Sequence, residues 1–180
     1  MAMLRDPITS VDHTQGPNNA PVTLLEYGDY QCPYCGMAYP IIKRVQRQFA
    51  TKLRFVFRHF PLTEIHPYAK TAAESAECAG AHGRFWEMHD LLYENQDRLG
   101  LPLILSAVRS SGLSEQSLRD ALATGAYAPK VRRDFLSGIR SGVRGTPTLF
   151  LDGQRYEGAV DYASLTAAIT DRLALDLIPA

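Results

Sequence analysis

Along Val22-Thr23-Leu24-Leu25-Glu26-Tyr27 the side chains divide into two faces, Val22, Leu24 and Glu26 on one and Thr23, Leu25 and Tyr27 on the other. Both faces are mostly apolar, the pattern of a strand buried in a parallel sheet. From Met37 to Phe49 the apolar residues Ile41, Ile42, Val45 and Phe49 recur at helical spacing, with Lys43, Arg44, Arg47 and Gln48 between them. Leu53 to Phe60 returns to period two, which predicts a second strand, parallel to the first because a helix connects them. Strand, helix and strand are complete by residue 60.

Residues 63 to about 142 then read as helix throughout. Ala69, Ala72, Ala73 and Ala76 form one apolar face, Phe85, Met88 and Leu92 another, and Leu101–Val108, Leu113–Leu122 and Pro129–Ile139 continue the pattern. Gly83, Gly100, Gly112 and Gly125 fall at the breaks, where helices end. His66-Pro67 predicts the start of the first of these helices, with His66 as its N-cap. Strand character resumes at Thr148–Leu151 and Gln154–Tyr156, with Asp152-Gly153 between them as a two-residue hairpin turn. Asp161 predicts the cap of a last helix bearing Leu165, Ala168, Ile169 and Leu173 on one side, which should cover the sheet. The organisation is therefore an α/β core, residues 21–62 and 143–180, with a helical subdomain inserted at 63–142. Residues 1–20 are polar and turn-rich and form an arm or a short edge strand.

Charge removes several classes of partner. Lys plus Arg and Asp plus Glu number 19 each, so no net field draws nucleic acid or an anionic membrane. Lys130-Val131-Arg132-Arg133, the densest basic cluster, fits a solvated helix face. Met1 to Asp12 lack the apolar block of about 7 to 15 residues that a secretory signal needs, and no stretch reaches the ~18 to 20 apolar residues of a membrane span. The expected location is cytoplasmic, or periplasmic if a signal has been trimmed. Three cysteines are too few for a disulfide framework and odd in number, so a disulfide that forms here is expected to be used in chemistry rather than structure.

Chemistry concentrates at Cys32-Pro33-Tyr34-Cys35, between the first strand and the first helix. Pro33 suits the first helical position, where its missing N–H has no intrahelical partner, and this puts Cys32 at the N-cap. A thiolate there meets unpaired N–H groups and the positive end of the helix dipole, which lower a cysteine pKa. Cys32 is the expected attacking sulfur and Cys35, one turn on, the resolving thiol. Half of a zinc site and a pair of inert buried thiols are the alternatives. Glu26, six residues before Cys32, is either a buried proton acceptor for Cys35 or a strand-end carboxylate facing water or a lysine. His59 reads as a core or rim histidine. Cys78 reads as a buried thiol, with a second resolving cysteine or a metal ligand as its alternatives.

Gly145-Thr146-Pro147-Thr148, immediately before the hairpin, is the second motif. Together with Cys32-Pro33-Tyr34-Cys35 it resembles the thioredoxin superfamily, and the helical insertion resembles the DsbA-like thiol-disulfide oxidoreductases, over roughly residues 21 to 175. The resemblance implies a thioredoxin-like fold with an inserted helical subdomain. It implies that Pro147 is a cis-proline facing the cysteines, that Thr146 offers its backbone to an extended substrate, and that Pro33 and Tyr34 line the substrate site. It also implies that Glu26 occupies the acidic position the superfamily keeps before the first cysteine. Protein thiols and disulfides are then the substrates, a redox partner protein or glutathione is the recycling partner, and no cofactor or metal is needed. Pro33-Tyr34 is also the dipeptide of many glutaredoxins, whereas strongly oxidising DsbA proteins have histidine as the second residue. A glutathione-dependent enzyme and a metal-binding or chaperone module are the rival readings; the oligomeric state is open.

Overall fold

A computed structural model describes residues 2–175; Met1 and residues 176–180, the outer ends of the arm and of the core segment as read above, lie outside the described residues. Five strands form one sheet: β1 (His13–Gln15), β2 (Val22–Gly28), β3 (Leu53–His59), β4 (Thr148–Leu151) and β5 (Gln154–Arg155), in the order β1-β3-β2-β4-β5. Helix α1 (Pro33–Phe49) joins β2 to β3, and the two strands run parallel with Leu24 beside Phe55 and Glu26 beside Phe57. On its other edge β2 meets β4 antiparallel, which places Glu26 beside Leu149. Glu26 is thus enclosed by neighbours on both sides in the centre of the sheet.

The period-two pattern divides the core as the sequence implies. Val22 and Leu24 face a large cluster with Cys35, Ile42, Val45, Phe57 and Tyr93. Leu25, Tyr27, Val56, Phe60, Val143 and Phe150 form the second cluster on the opposite face, with Phe135 packed against it. The Asp152-Gly153 turn has φ of 48° and 77°, the left-handed pair that a two-residue hairpin requires. Helix α7 (Tyr162–Leu175) is capped by Asp161, whose Oδ1 accepts from Ser164 N at 2.8 Å, and buries Leu165 and Ile169.

The inserted helices are α2 (Ala69–Gly80), α3 (Phe85–Glu94), α4 (Leu101–Ser110), α5 (Glu115–Thr124) and α6 (Ala128–Arg140), with a 3-10 turn at Gln96–Arg98. Gly125 ends α5 at φ 64°, a left-handed cap that glycine adopts without a Cβ clash. One expected boundary moves. Helix α2 starts at Ala69 with Tyr68 as its N-cap, so His66 is not the cap. Its Nδ1 is instead bonded to Asp29 Oδ2 at 2.7 Å.

Residues 2–20 are docked on the core. β1 pairs antiparallel with the outer edge of β3, and Met3 bridges to Gln154 at the far edge of the sheet. Buried Arg58 secures this segment, donating to Asp12 Oδ1 and Oδ2 at 2.8 and 3.0 Å and to the carbonyls of Asp6 and Pro7.

Candidate active site

Cys32 is the N-cap of α1, in extended conformation with Pro33 following in the first turn. The turn before it is built by Asp29. Its Oδ1 accepts from Gln31 N at 2.8 Å, its Oδ2 from Leu62 N at 2.9 Å and from His66 Nδ1, and its carbonyl from Cys32 N at 3.1 Å. On the other side Gln96, from the 3-10 turn of the insertion, spans the same loop. Its Nε2 donates to the carbonyls of Tyr30 and Cys32, each at 2.9 Å. Gly36 leaves room for that approach: a Cβ there would stand 2.0 Å from Gln96 Oε1, and the amide would have to shift.

The three cysteines are free thiols. Cys32 is held at about 5, far below the ordinary 9.0. The largest cause is a hydrogen bond from the Cys35 thiol; burial opposes it, and the Thr146 hydroxyl and the N–H groups of Cys35 and Tyr34 add to the lowering. Apart from this contact, Thr146 Oγ1 is buried without a hydrogen-bond partner among the described residues. As a thiol, Cys32 donates to the Thr146 carbonyl, Sγ···O 3.2 Å. The Thr146–Pro147 peptide is cis. Cys35 is the opposite case: it is fully buried, and burial, the Cys32 hydrogen bond and the Glu26 charge push its pKa well up.

Glu26 is 3% exposed, and its pKa is raised from 4.5 to about 8 by burial first and by the Cys32 charge second. It is closed off from solvent, and no lysine pairs with it among the described residues. Tyr34 at 70% and Met37 at 66% exposure flank Cys32 on the first turns of α1, and Pro33 is exposed beside them. Tyr68 is 40% exposed and joins this face through its N–H, which Gln31 Oε1 accepts at 2.7 Å.

The structure brings together Cys32, Cys35, Glu26 and Thr146, with Pro147 adjoining Thr146. His59 and Cys78 have other surroundings. His59 is buried with Nε2 2.8 Å from Glu77 Oε1, an oxygen that His13 Nε2 shares at 2.9 Å. His59, Glu77 and Asp134 are close enough to hold a metal ion, but the Lys130 ammonium already bonds Asp134 and lies 3.6 Å from Glu77. Cys78 is buried on α2, where burial raises its pKa. The sequence pattern does not single out Asp29, Gln96 or Tyr93, because what each meets in the fold lies mostly tens of residues away. Gly28 is the available signal for Tyr93 and Gly36 for Gln96, since glycine inside a strand or helix marks a close approach.

A family model described as thioredoxin matches residues 9–171. The Na(+)/H(+) antiporter NhaA 1 of Salinispora arenicola is 44% identical over 163 residues, 91% of this chain and 25% of that protein. A like-named antiporter of Mycolicibacterium gilvum is 36% identical over 171 residues, 94% of this chain and 28% of that protein. The chain therefore spans about a quarter of the length of these curated relatives. Among solved structures, oxidised BdbD from Bacillus subtilis superposes with a TM-score of 0.85 at 23% identity, covering 96% of this chain and 98% of that one. The thiol-disulfide exchange protein alpha-DsbA2 of Wolbachia pipientis superposes with a TM-score of 0.78 at 22% identity, covering 90% and 87%. At these identities the likeness is one of fold.

Proposed function

The chain belongs to the thioredoxin family, and on that premise we propose that it is a thiol-disulfide oxidoreductase that exchanges disulfides with protein substrates through Cys32 and Cys35. The observation that carries the reading is the opposed ionisation of two adjacent cysteines. Cys32, held at about 5, is a thiolate at neutral pH, whereas Cys35 keeps its proton in the interior. One is ready to attack; the other is protected until an intermediate forms.

In the reducing direction the Cys32 thiolate attacks a substrate disulfide, one S–S bond replaces another, and the first substrate sulfur leaves as a thiolate. Cys35 then gives its proton to the Glu26 carboxylate and attacks Cys32 Sγ. The Cys32–Cys35 bond forms, and the second substrate sulfur leaves with the bonding electrons. Oxidation of a substrate dithiol is the same sequence reversed. Glu26 suits the transfer because its affinity for a proton depends on Cys32. When Cys32 is bound in a mixed disulfide its negative charge is gone and one cause of the raised Glu26 pKa disappears, so the carboxyl releases its proton to solvent more readily and stands as the carboxylate that accepts from Cys35.

The low Cys32 value favours the dithiol and so an oxidising couple. Exposed Tyr34, Met37 and Tyr68 around a recessed sulfur favour a polypeptide substrate, with the Thr146 backbone and Pro147 beside it. The antiport in the relatives' names belongs to those longer proteins; no helix among the described residues is long and apolar enough to cross a membrane. The test is exchange with a disulfide-bonded peptide. Cys32→Ser is expected to abolish it and Cys35→Ser to accumulate the peptide as a mixed disulfide on Cys32. Activity retained in Cys32→Ser refutes the proposal.

A further inference from the structure

Tyr93, on α3, is a buried phenol whose hydroxyl oxygen is enclosed and has no hydrogen-bond partner among the described residues. Rings hold it on several sides, Tyr30 at 4.9 Å, His89 at 5.0 Å and Tyr39 stacked at 5.2 Å between centroids. Its tip reaches the sheet at Gly28, where a Cβ would stand 2.9 Å from the Tyr93 oxygen. Gly28 follows Glu26 by two residues on β2, so the hydroxyl occupies the sheet face that carries the Glu26 side chain. Cys35 packs in the apolar cluster on that face, together with Tyr93.

The ionisable groups whose charges act on the hydroxyl are Cys35 from α1, Glu26 from β2, and Tyr30 and Asp29 from the turn that follows β2. His89 and Tyr39 flank the ring. Tyr30 already bonds His89 Nδ1 at 3.1 Å, and Asp29 is engaged by Gln31, Leu62 and His66. Cys35 and Glu26 remain, and they are the two groups between which the resolving step moves a proton. A polar group buried without a partner is costly, which makes an enclosed hydroxyl at this point informative.

Resting on the reading of Cys35 as the resolving thiol, we propose that the Tyr93 hydroxyl is the hydrogen-bond donor that supports the Cys35 thiolate during attack on the mixed disulfide. In that step the Cys35 proton passes to the Glu26 carboxylate and the sulfur attacks Cys32 Sγ. The S–S bond from Cys32 to the substrate breaks with its electron pair on the substrate sulfur. Tyr93 keeps its own proton throughout and turns its O–H toward the sulfur as charge appears there.

The experiment uses the reduced chain in a Cys78→Ser background, so that the third thiol adds no signal. Reaction with 5,5′-dithiobis(2-nitrobenzoate) releases one chromophore when Cys32 attacks and a second when Cys35 resolves the mixed disulfide. In Tyr93→Phe the first release is expected to be unchanged. The second is expected to slow by about tenfold or more, as for loss of a hydrogen bond to an ionised group, with its pH midpoint moved upward. Resistance to urea is expected to be equal or higher, because the variant removes an unmatched hydroxyl. A folded Tyr93→Phe whose second release keeps the wild-type rate and midpoint overturns the proposal, as does a variant that fails to fold, since the hydroxyl would then be structural. Release of only one chromophore by the parent, or of two by Cys35→Ser, overturns the disulfide-exchange reading instead.

Discussion

Replacing Glu26 with glutamine tests both the fold energetics and the chemistry of the site. In the folded chain the carboxyl holds its proton up to about pH 8, whereas an ordinary glutamate releases it near 4.5. Between those values the native state binds a proton that the unfolded chain has lost, so stability falls as pH rises through the window and levels off above it. Each pH unit is worth about 1.36 kcal/mol, so from 4.5 to 7 the penalty grows to ~3.4 kcal/mol, and to nearly ~5 kcal/mol by pH 8. Glutamine has the same shape and no charge at any pH. Urea unfolding of the reduced wild type and Glu26→Gln across this range should therefore give curves that coincide near pH 4 and separate steadily, with the variant more stable by ~3 kcal/mol at pH 7. The same variant should resolve mixed disulfides about a hundredfold or more slowly, the scale of a lost proton acceptor. Parallel unfolding curves from pH 5 to 8 would show that Glu26 ionises normally, and the proposed proton path would fail with them.

Alkylation of Cys32 by iodoacetamide should rise with pH about a midpoint near 5; a midpoint near the ordinary 9.0 would remove the basis for calling it the attacking thiolate. Gln96→Ala should cost ~1–3 kcal/mol in urea unfolding, the sum of two neutral hydrogen bonds to the carbonyls of Tyr30 and Cys32, and an unchanged midpoint would show that the clamp carries no load. Arg58→Met should destabilise by ~3–5 kcal/mol, since Asp12 would be left buried without its cation. Limited proteolysis of that variant should cut first within residues 2–20; unaltered protection would refute the assignment of Arg58 as the anchor of that segment.

Local signals and long-range contacts were unequally legible in the sequence. The period-two runs placed β2 and β3, and Gly83, Gly100, Gly112 and Gly125 marked the helix ends, because patterning and backbone freedom act over a few residues. Glu26 stood out as the one charge on an otherwise apolar face. His66, a histidine before a proline, looks locally like a helix cap, while its actual partner, Asp29, is 37 residues away. Gln96 lies in a three-residue 3-10 turn, too short for any periodicity, and its targets are 64 and 66 residues distant. Tyr93 reads simply as one more apolar position on α3 until the gap at Gly28 shows where its hydroxyl ends.

Glu26 and Asp29, three residues apart and both buried, show how the surroundings separate two carboxyl groups by task. Asp29 meets three partners, two backbone N–H groups and His66, and a carboxylate so occupied fixes the shape of the turn. The proton affinity of Glu26 is set by burial and by the charge on Cys32, with no hydrogen bond contributing. It therefore responds to the redox state of the sulfur it serves. The helical insertion sharpens this division: α3 and the turn after it bring Tyr93 to the Glu26 face and Gln96 to the backbone of Cys32, while Lys43 of α1 holds Asp90 of α3 at 2.8 Å. Removing the insertion should expose Glu26 and Cys35 together and return both toward ordinary ionisation, so the inserted helices take part in setting the protonation of these two groups.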